Sequence, residues 1–397
     1  MNSVLRKLGH KRKSTRVIYI STYIPQKCGI ATFTKDVTNA INMLNPYALA
    51  EIMAIVKPGE NPDFPWEVKY RIEKDNLNSY SEAAKYINNS CADVVMIEFE
   101  FGIFGGNCGE YVIPFVKEIN KPVVVTCHTI PEDAESNYGK VLKKLCQLVS
   151  GITVMMDKSV KKLVADYQVE RRKIVAIPHG TPDLPYTISD SFKKYKDLKG
   201  RFVLGNINLV SENKGLEYTI EAVAQIVKKI PEVLYLAIGQ THPGILADVG
   251  EKYRNWLKQK VKDLGIQKNV RFVNKYVSLE DLIIWLKTMD VYITPYLDPQ
   301  QSSSGALAYA LGAGKSCIST PYSYAKEVLA KGRGVLVPFR DSKAIAKAVV
   351  RLYENKDRRI LMQKRAYEYG RFMTWSAVAL QHLDLFEIVI KKHKKGD

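Results

Sequence analysis

The stretch Phe202-Val-Leu-Gly-Asn206-Ile-Asn208-Leu-Val-Ser-Glu-Asn-Lys214-Gly215, running on in helical period to Lys229, decides the fold. It opens as a short, mostly apolar run, as expected of a strand covered on both faces. A polar loop follows, and then apolar residues recur at the spacing of an amphipathic helix. The same order repeats through this half of the chain. Further strands are expected at Val233–Gly239, Val270–Val273, Val291–Thr294, Cys317–Thr320 and Gly334–Val337. Helices at Gly215–Lys229, Tyr253–Leu264, Leu279–Met289, Ala306–Gly312 and Ser342–Tyr353 separate them. Such alternation predicts a parallel sheet with helices on both sides.

The first half reads the same way. Strands are expected at Arg16–Ser21, Glu51–Val56, Asp93–Phe99, Pro122–Cys127, Gly151–Met155 and Lys173–Pro178, with helices at Thr32–Leu44, Tyr80–Asn88 and Asp157–Tyr167. Between the halves, Thr181–Lys199 is polar and carries Pro182 and Pro185, as a linker would. The chain has 397 residues, more than a single core normally supports, roughly 250–300 residues. The expected division is a basic arm at 1–15, a doubly wound α/β domain at 16–182, a linker at 183–199, a second doubly wound domain at 200–372, and a final helical stretch at 373–397 that crosses back to the first domain. Ligands of such sheets bind beyond the carboxyl ends of the strands. Two such domains facing each other would form a central cleft.

Composition excludes several classes. Apolar residues are 46% and charged residues 25% of the chain, which rules out a disordered, collagen-like or small disulfide-built protein. No run approaches the roughly 18–20 apolar residues that span a bilayer. The N-terminus, MNSVLRKLGHKRKSTR, lacks the apolar core of a secretory signal. Cys28, Cys91, Cys108, Cys127, Cys146 and Cys317 are scattered without a Cys-x-x-Cys pair, so a reducing cytoplasm is expected. The 59 lysines and arginines against 41 acids give a formal net charge of +18. That balance favours an anionic membrane surface or phosphate-bearing ligands. No recognisable nucleic-acid module accompanies it. The basic ends, Arg6 to Arg16 and Lys391 to Lys395, read as solvated arms able to touch an anionic leaflet.

Several residues stand at predicted strand ends. Gly29 lies in the loop that leaves the first strand and opens a helix, where backbone amides favour an anion; alone it also fits a plain tight turn. His128 ends the fourth strand, placed to hydrogen-bond a ligand or simply a structural neighbour. Glu98 and Glu100 precede a glycine-rich loop running to Gly106. His179-Gly180 closes the sixth strand as a hinge. Lys214 at a helix start opposes the helix dipole unless it holds an anion such as a phosphate. Ser302, Ser303 and Ser304 before Gly305 can cap a helix and also form an anion nest. No Asp-x-Asp, no metal-ligand spacing of His and Cys, no P-loop and no Gly-x-Ser-x-Gly elbow occurs, which removes support for kinase, zinc-hydrolase and esterase chemistry.

In order along the chain, these segments resemble the retaining glycosyltransferases of family 4, which have the GT-B fold of two Rossmann-like doubly wound domains facing a central cleft. Ile24-Pro-Gln-Lys-Cys-Gly-Ile-Ala-Thr-Phe-Thr is similar to the first loop of a subgroup with a CGIATFT signature. Glu100-Phe-Gly-Ile-Phe-Gly-Gly and Cys127-His-Thr-Ile-Pro are similar to its next landmarks. Ile177-Pro-His-Gly resembles the hinge-proximal segment and Asn213-Lys-Gly the donor motif. Ser303-Ser-Gly-Ala-Leu-Ala-Tyr-Ala-Leu-Gly-Ala-Gly-Lys resembles the C-terminal donor-site helix. The resemblance implies transfer of a hexose, mannose or glucose, from a nucleotide diphosphate sugar to a carbohydrate or lipid-linked acceptor, with retention. It implies no cofactor and no metal. With a lipid-linked acceptor, the basic ends would bring a cytoplasmic protein peripherally to the inner membrane face. Lys214 would neutralise the leaving diphosphate, and amides near Ser304, Gly305 and Ala306 would bind the same oxygens. Gly29, Asn208, Gln301, Ser303, Tyr309 and Glu327 complete the implied donor set. His128 would stabilise positive charge near the anomeric carbon through its ring or carbonyl. Cys28, Glu100, Phe101 and Gly105 would face the acceptor.

The chain departs from the family at two places. Leu209 stands where an Arg is usual. Gln301 and Tyr309 stand where two Glu are usual, and Glu327 is the candidate replacement carboxylate. Two further readings therefore stay open: a nucleotide-sugar hydrolase or epimerase on the same fold, and a non-catalytic nucleotide-sugar-binding protein.

Overall fold

A computed structural model describes residues 14–395; the expected basic arm, apart from its last two residues, lies outside the described residues. The chain forms two compact units, one of the residues up to Pro178 together with those from Ser376 onward, the other His179–Trp375. The first unit holds a seven-stranded parallel sheet: β1 (Val17–Ser21), β2 (Glu51–Val56), β3 (Val68–Glu73), β4 (Val94–Phe99), β5 (Val123–Cys127), β6 (Gly151–Val154) and β7 (Ile174–Ala176). Its strand order is β3-β2-β1-β4-β5-β6-β7. The second unit holds six parallel strands: β8 (Phe202–Ile207), β9 (Val233–Ile238), β10 (Val270–Val273), β11 (Val291–Thr294), β12 (Ser316–Ser319) and β13 (Gly334–Leu336), in the order β10-β9-β8-β11-β12-β13. Both are doubly wound α/β sheets whose order reverses once, between β1 and β4 and between β8 and β11.

The central strands β1, β4, β5, β8, β9 and β11 are buried along their whole length, because helices cover both faces. β3 was not foreseen. Its Val-Lys-Tyr-Arg-Ile-Glu alternates rather than running apolar, and only Ile72 is fully covered, as suits a charged edge. Helices Val112–Glu118, Asn137–Leu148, Pro243–Val249, Ser323–Val328 and Lys356–Gly370 were also unforeseen.

The segment expected as a linker, 183–199, belongs to the second unit and includes a short helix, Asp190–Lys193. It is held by a buried carboxylate rather than left in solvent. Asp290 accepts from Ser189 Oγ at 2.5 Å and from Val203 N at 2.7 Å, and its Oδ2 lies 2.9 Å from Lys193 Nζ. The residues from Ser376 onward lie in the first unit, where Val389 and Leu385 pack against Gly151 of β6. Among the described residues no helix is long and apolar enough to cross a membrane.

Lys193 keeps a second partner in Asp190, at 2.7 Å, so losing Asp290 costs less than stranding a buried charge. Asp290→Ala is expected to lower the unfolding free energy in urea by about 1–3 kcal/mol through the hydrogen bonds it leaves unmade. An unfolding free energy within ~0.5 kcal/mol of wild type would show that this carboxylate does not hold the segment.

Candidate functional site

In the second unit the residues gather where the sheet order reverses. β8 and β11 pair only over Val291–Leu204 and Tyr292–Gly205. Beyond that, the Ile207 N–H donates to the Tyr292 hydroxyl at 3.1 Å, and that hydroxyl donates to Ile207 O at 3.2 Å. The phenol satisfies polar groups at the end of β8, where the loops after β8 and β11 diverge. Two glycines let these loops approach other backbone closely. Gly215 has φ 62° and a Cβ there would lie 2.2 Å from Pro295 O. Gly239 has φ 128° and a Cβ would lie 1.8 Å from Asn208 O. No L side chain fits either place. Gly215 is thus a steric requirement of the loop crossing, reinforced by Leu297 N donating to Asn213 O at 2.9 Å.

That crossing sets Lys214 Nζ 4.4 Å over the ring of buried Tyr296. Tyr296 stacks on Tyr322 at 5.2 Å, and its hydroxyl lies toward Ser304 and Asn208. The Asn208 amide oxygen and nitrogen are both buried without a partner of ordinary hydrogen-bond geometry. Burial pushes the Lys214 ammonium below its usual pKa, with Asp298 opposing. His242, at the start of Pro243–Val249, is pushed down by burial and by the Lys214 charge. Lys214, Asn208 and Ser304 therefore meet around one tyrosine, in a corner that is short of negative charge. Neither Tyr296 nor His242 was foreseen. His242 follows β9 and could have been found by the strand-end reasoning used for His128; Tyr296 looks like any apolar residue after a strand.

Ser304 caps the Gly305–Gly312 helix, accepting from Leu307 N at 3.2 Å. Ala306 lies in the helix's first turn. Gln301 Nε2 donates to Ser303 O at 2.9 Å. Ser323 N and Tyr324 N donate to Pro299 O and Gln301 O at 3.0 and 3.1 Å, docking this loop onto the Ser323–Val328 helix. Glu327 sits half-buried on that helix near Arg333 and Tyr324. His179, expected only as a hinge, lies over the helix start: a Cβ on Gly305 would be 2.9 Å from its Nε2. Its ring is 6.0 Å from buried Tyr309 and 5.7 Å from Trp375.

In the first unit, Gly29 opens the Gly29–Leu44 helix with open space where a Cβ would be. Cys28, expected beside the acceptor, caps that helix: its Sγ accepts from Ala31 N at 3.3 Å and lies 3.1 Å from Thr22 Oγ1. His128 is 5% exposed, and its Nε2 lies 2.8 Å from Glu98 Oε2. Glu98 is fully buried rather than solvated, and its Oε1 has no partner. His382, on the C-terminal helix, is buried in the same region. Burial lowers its pKa to about 4 against the pull of Glu98, and its Nδ1 is unpartnered. Glu100 accepts from Thr129 Oγ1 at 2.7 Å and lines a pocket of about 530 Å³ with Phe101 and Tyr138. Gly105 does not line it. It is buried, its N donates to Tyr80 OH at 3.0 Å, and a Cβ would lie 1.9 Å from Lys74 O; its glycine serves close packing. Among the described residues no group of three or more His, Cys, Asp or Glu could hold a metal ion.

A depressed folded-state pKa means that the unfolded chain binds the Lys214 proton more tightly. Stability then rises with pH until the ordinary lysine range is reached. Lys214→Met is therefore expected to raise the thermal midpoint of the ligand-free protein at pH 7, with the gain shrinking as pH approaches 10. A midpoint at or below wild type at pH 7 would contradict a strained cation.

Residues 201–355 match the family described as glycosyl transferases group 1. The chain is 25% identical over 273 residues to phosphatidyl-myo-inositol mannosyltransferase of Mycolicibacterium smegmatis, covering 68% of this chain and 65% of that protein. It spans 62–65% of the length of the first curated relatives it matches. In structure it is similar to sucrose-phosphate synthase of Thermosynechococcus elongatus, with TM-score 0.75, 16% identity, and 95% and 99% of the two chains covered. It is also similar to HepE of Anabaena in complex with UDP, with TM-score 0.73, 14% identity, and 94% and 100% covered. Residues 201–355 are thus similar to the glycosyl transferases group 1 family, and the chain has the two-unit Rossmann-like fold of the GT-B glycosyltransferases.

Proposed function

We propose that this chain is a retaining, metal-independent glycosyltransferase that moves a hexose from a nucleoside diphosphate sugar to a carbohydrate or lipid-linked acceptor. The observation that carries the reading is the Lys214 ammonium, half-buried over Tyr296, beside the Asn208 amide and the Ser304-capped helix start. A diphosphate is a ligand that relieves such a site, because it restores full charge to the lysine and accepts from the amide. HepE of Anabaena, a structural neighbour, has been crystallised with UDP and with UDP-glucose. Mannose is the preferred sugar, in keeping with the mannosyltransferase among the relatives. Metal independence is proposed because the chain has no Asp-x-Asp to hold a cation on the diphosphate.

On this reading Lys214 and the amides of Ser304, Gly305 and Ala306 stabilise the negative charge that grows on the departing diphosphate. The leaving phosphate oxygen takes the acceptor proton. His128, oriented by Glu98, supports positive charge near the anomeric carbon. Glu100 and Phe101 line the acceptor pocket. The exposed Lys391–Lys395 end of the C-terminal helix supports a peripheral meeting with an anionic inner leaflet when the acceptor is lipid-linked.

Incubation with a panel of nucleotide sugars and saccharide or lipid acceptors in EDTA is expected to give acceptor-dependent release of nucleoside diphosphate. Lys214→Ala should reduce kcat by about 10²- to 10³-fold, the usual loss for one group that stabilises transition-state charge. Acceptor-independent release would favour hydrolysis or epimerisation. Nucleotide binding without turnover would favour a binding protein. Wild-type rates in Lys214→Ala would remove the lysine from the mechanism.

A further inference from the structure

The second unit carries a groove of about 720 Å³, lined by the start of the Leu216–Ile226 helix, the Lys252–Asp263 helix, and the loops at Leu297–Asp298 and Arg340. That volume lies in the range of small-molecule sites, about 300–1,000 Å³. Its wall is aromatic. Tyr253 and Trp256 stack with centroids 5.8 Å apart and planes 24° apart. Tyr253 is 8% exposed and rigidly held: its hydroxyl accepts from Leu216 N at 3.2 Å and donates to Glu217. Trp256 is 48% exposed. Lys260, ion-paired to Glu221 at 2.6 Å, lies 5.1 Å from its ring centroid. The exposed indole thus stands on a fixed tyrosine, an aromatic face of the kind that ligand sites use.

The rim decides which ligand it suits. Glu212, Glu217 and Asp298 face Lys252 and Arg340, and Lys260 beside Trp256 is held by Glu221. The groove therefore has no excess of positive charge to draw in a phosphate or nucleotide. A bare hydrocarbon would leave the rim carboxylates unpaired. A pyranose suits both features: its C–H face lies on an indole, and its hydroxyls donate to carboxylates. We propose that this groove is a saccharide-binding subsite for a neutral pyranose chain, which stacks on Trp256 backed by Tyr253 and donates hydrogen bonds to Glu217 and Asp298. It lies beside the Lys214 corner along the chain, through Glu212 and Asn213, but takes a neutral ligand. The proposal does not depend on the donor reading.

Calorimetric titration of the full chain with neutral mannotriose and maltotriose tests it, with UDP and GDP titrated in parallel samples. Saturable binding of at least one trisaccharide is expected. Trp256→Ala should weaken it about tenfold or more, and Trp256→Phe should retain most of it. Nucleotide binding and the thermal midpoint should be unchanged in both variants. The proposal is overturned by no saturable binding of either sugar, by equal affinity in Trp256→Ala, or by UDP or GDP binding that Trp256→Ala weakens as much as it weakens sugar binding. Loss of nucleotide binding with sugar binding intact would instead count against the donor site alone.

Discussion

A lysine ammonium half-buried over a tyrosine ring governs the second unit. Withdrawing a charge even partly from water disfavours its charged form. A cation–π contact returns only about 0.5–2 kcal/mol, and Asp298 offsets the burial without cancelling it. His242 adds a second group that Lys214 discourages from charging. The corner is therefore an electrostatic deficit built into the fold, and an anion is the natural means of filling it. The functional proposal rests on that deficit rather than on any single sequence match.

The deficit persists because the backbone around it has little freedom. Gly215 and Gly239 permit approaches that any Cβ would forbid, and Tyr292 satisfies backbone groups at the end of β8 with its own hydroxyl. These features hold the loops after β8, β9 and β11 around one tyrosine. The loops after β8 and β9 are thus fixed at the sheet ends that they leave.

The first unit shows a different device. A carboxylate with no solvent exposure, Glu98, ends a central strand between His128, from the neighbouring strand end, and His382, from the C-terminal helix. A buried acid needs partners. The C-terminal helix therefore contributes polar surroundings to the strand ends as well as apolar cover for β6. Glu98, which precedes a glycine-rich loop in the sequence, is one of the least exposed polar residues in this unit.

How much could be read in advance follows from the range of the interactions involved. Twelve of the thirteen strands among the described residues are mostly apolar runs of short range, and they are legible without coordinates. β3 escaped because an edge strand alternates like an exposed segment. Lys356–Gly370 escaped because charge dominates it and few of its residues are buried. Lys214, Asn208 and Ser304 were legible as residues, since helix starts and strand ends advertise themselves through Gly, Lys and Ser. Their convergence on Tyr296 was not. The sequence by itself determined that two parallel α/β sheets would form and which of their loops would carry polar chemistry, because apolar periodicity and glycine need only local geometry. Only the tertiary structure decided that Tyr296 sits beneath Lys214, that Glu98 is shared out of water with histidines 30 and 284 residues away, and that Gly105 serves packing. Those outcomes depend on strand order and burial, which join residues distant in the chain and leave no periodic trace along it.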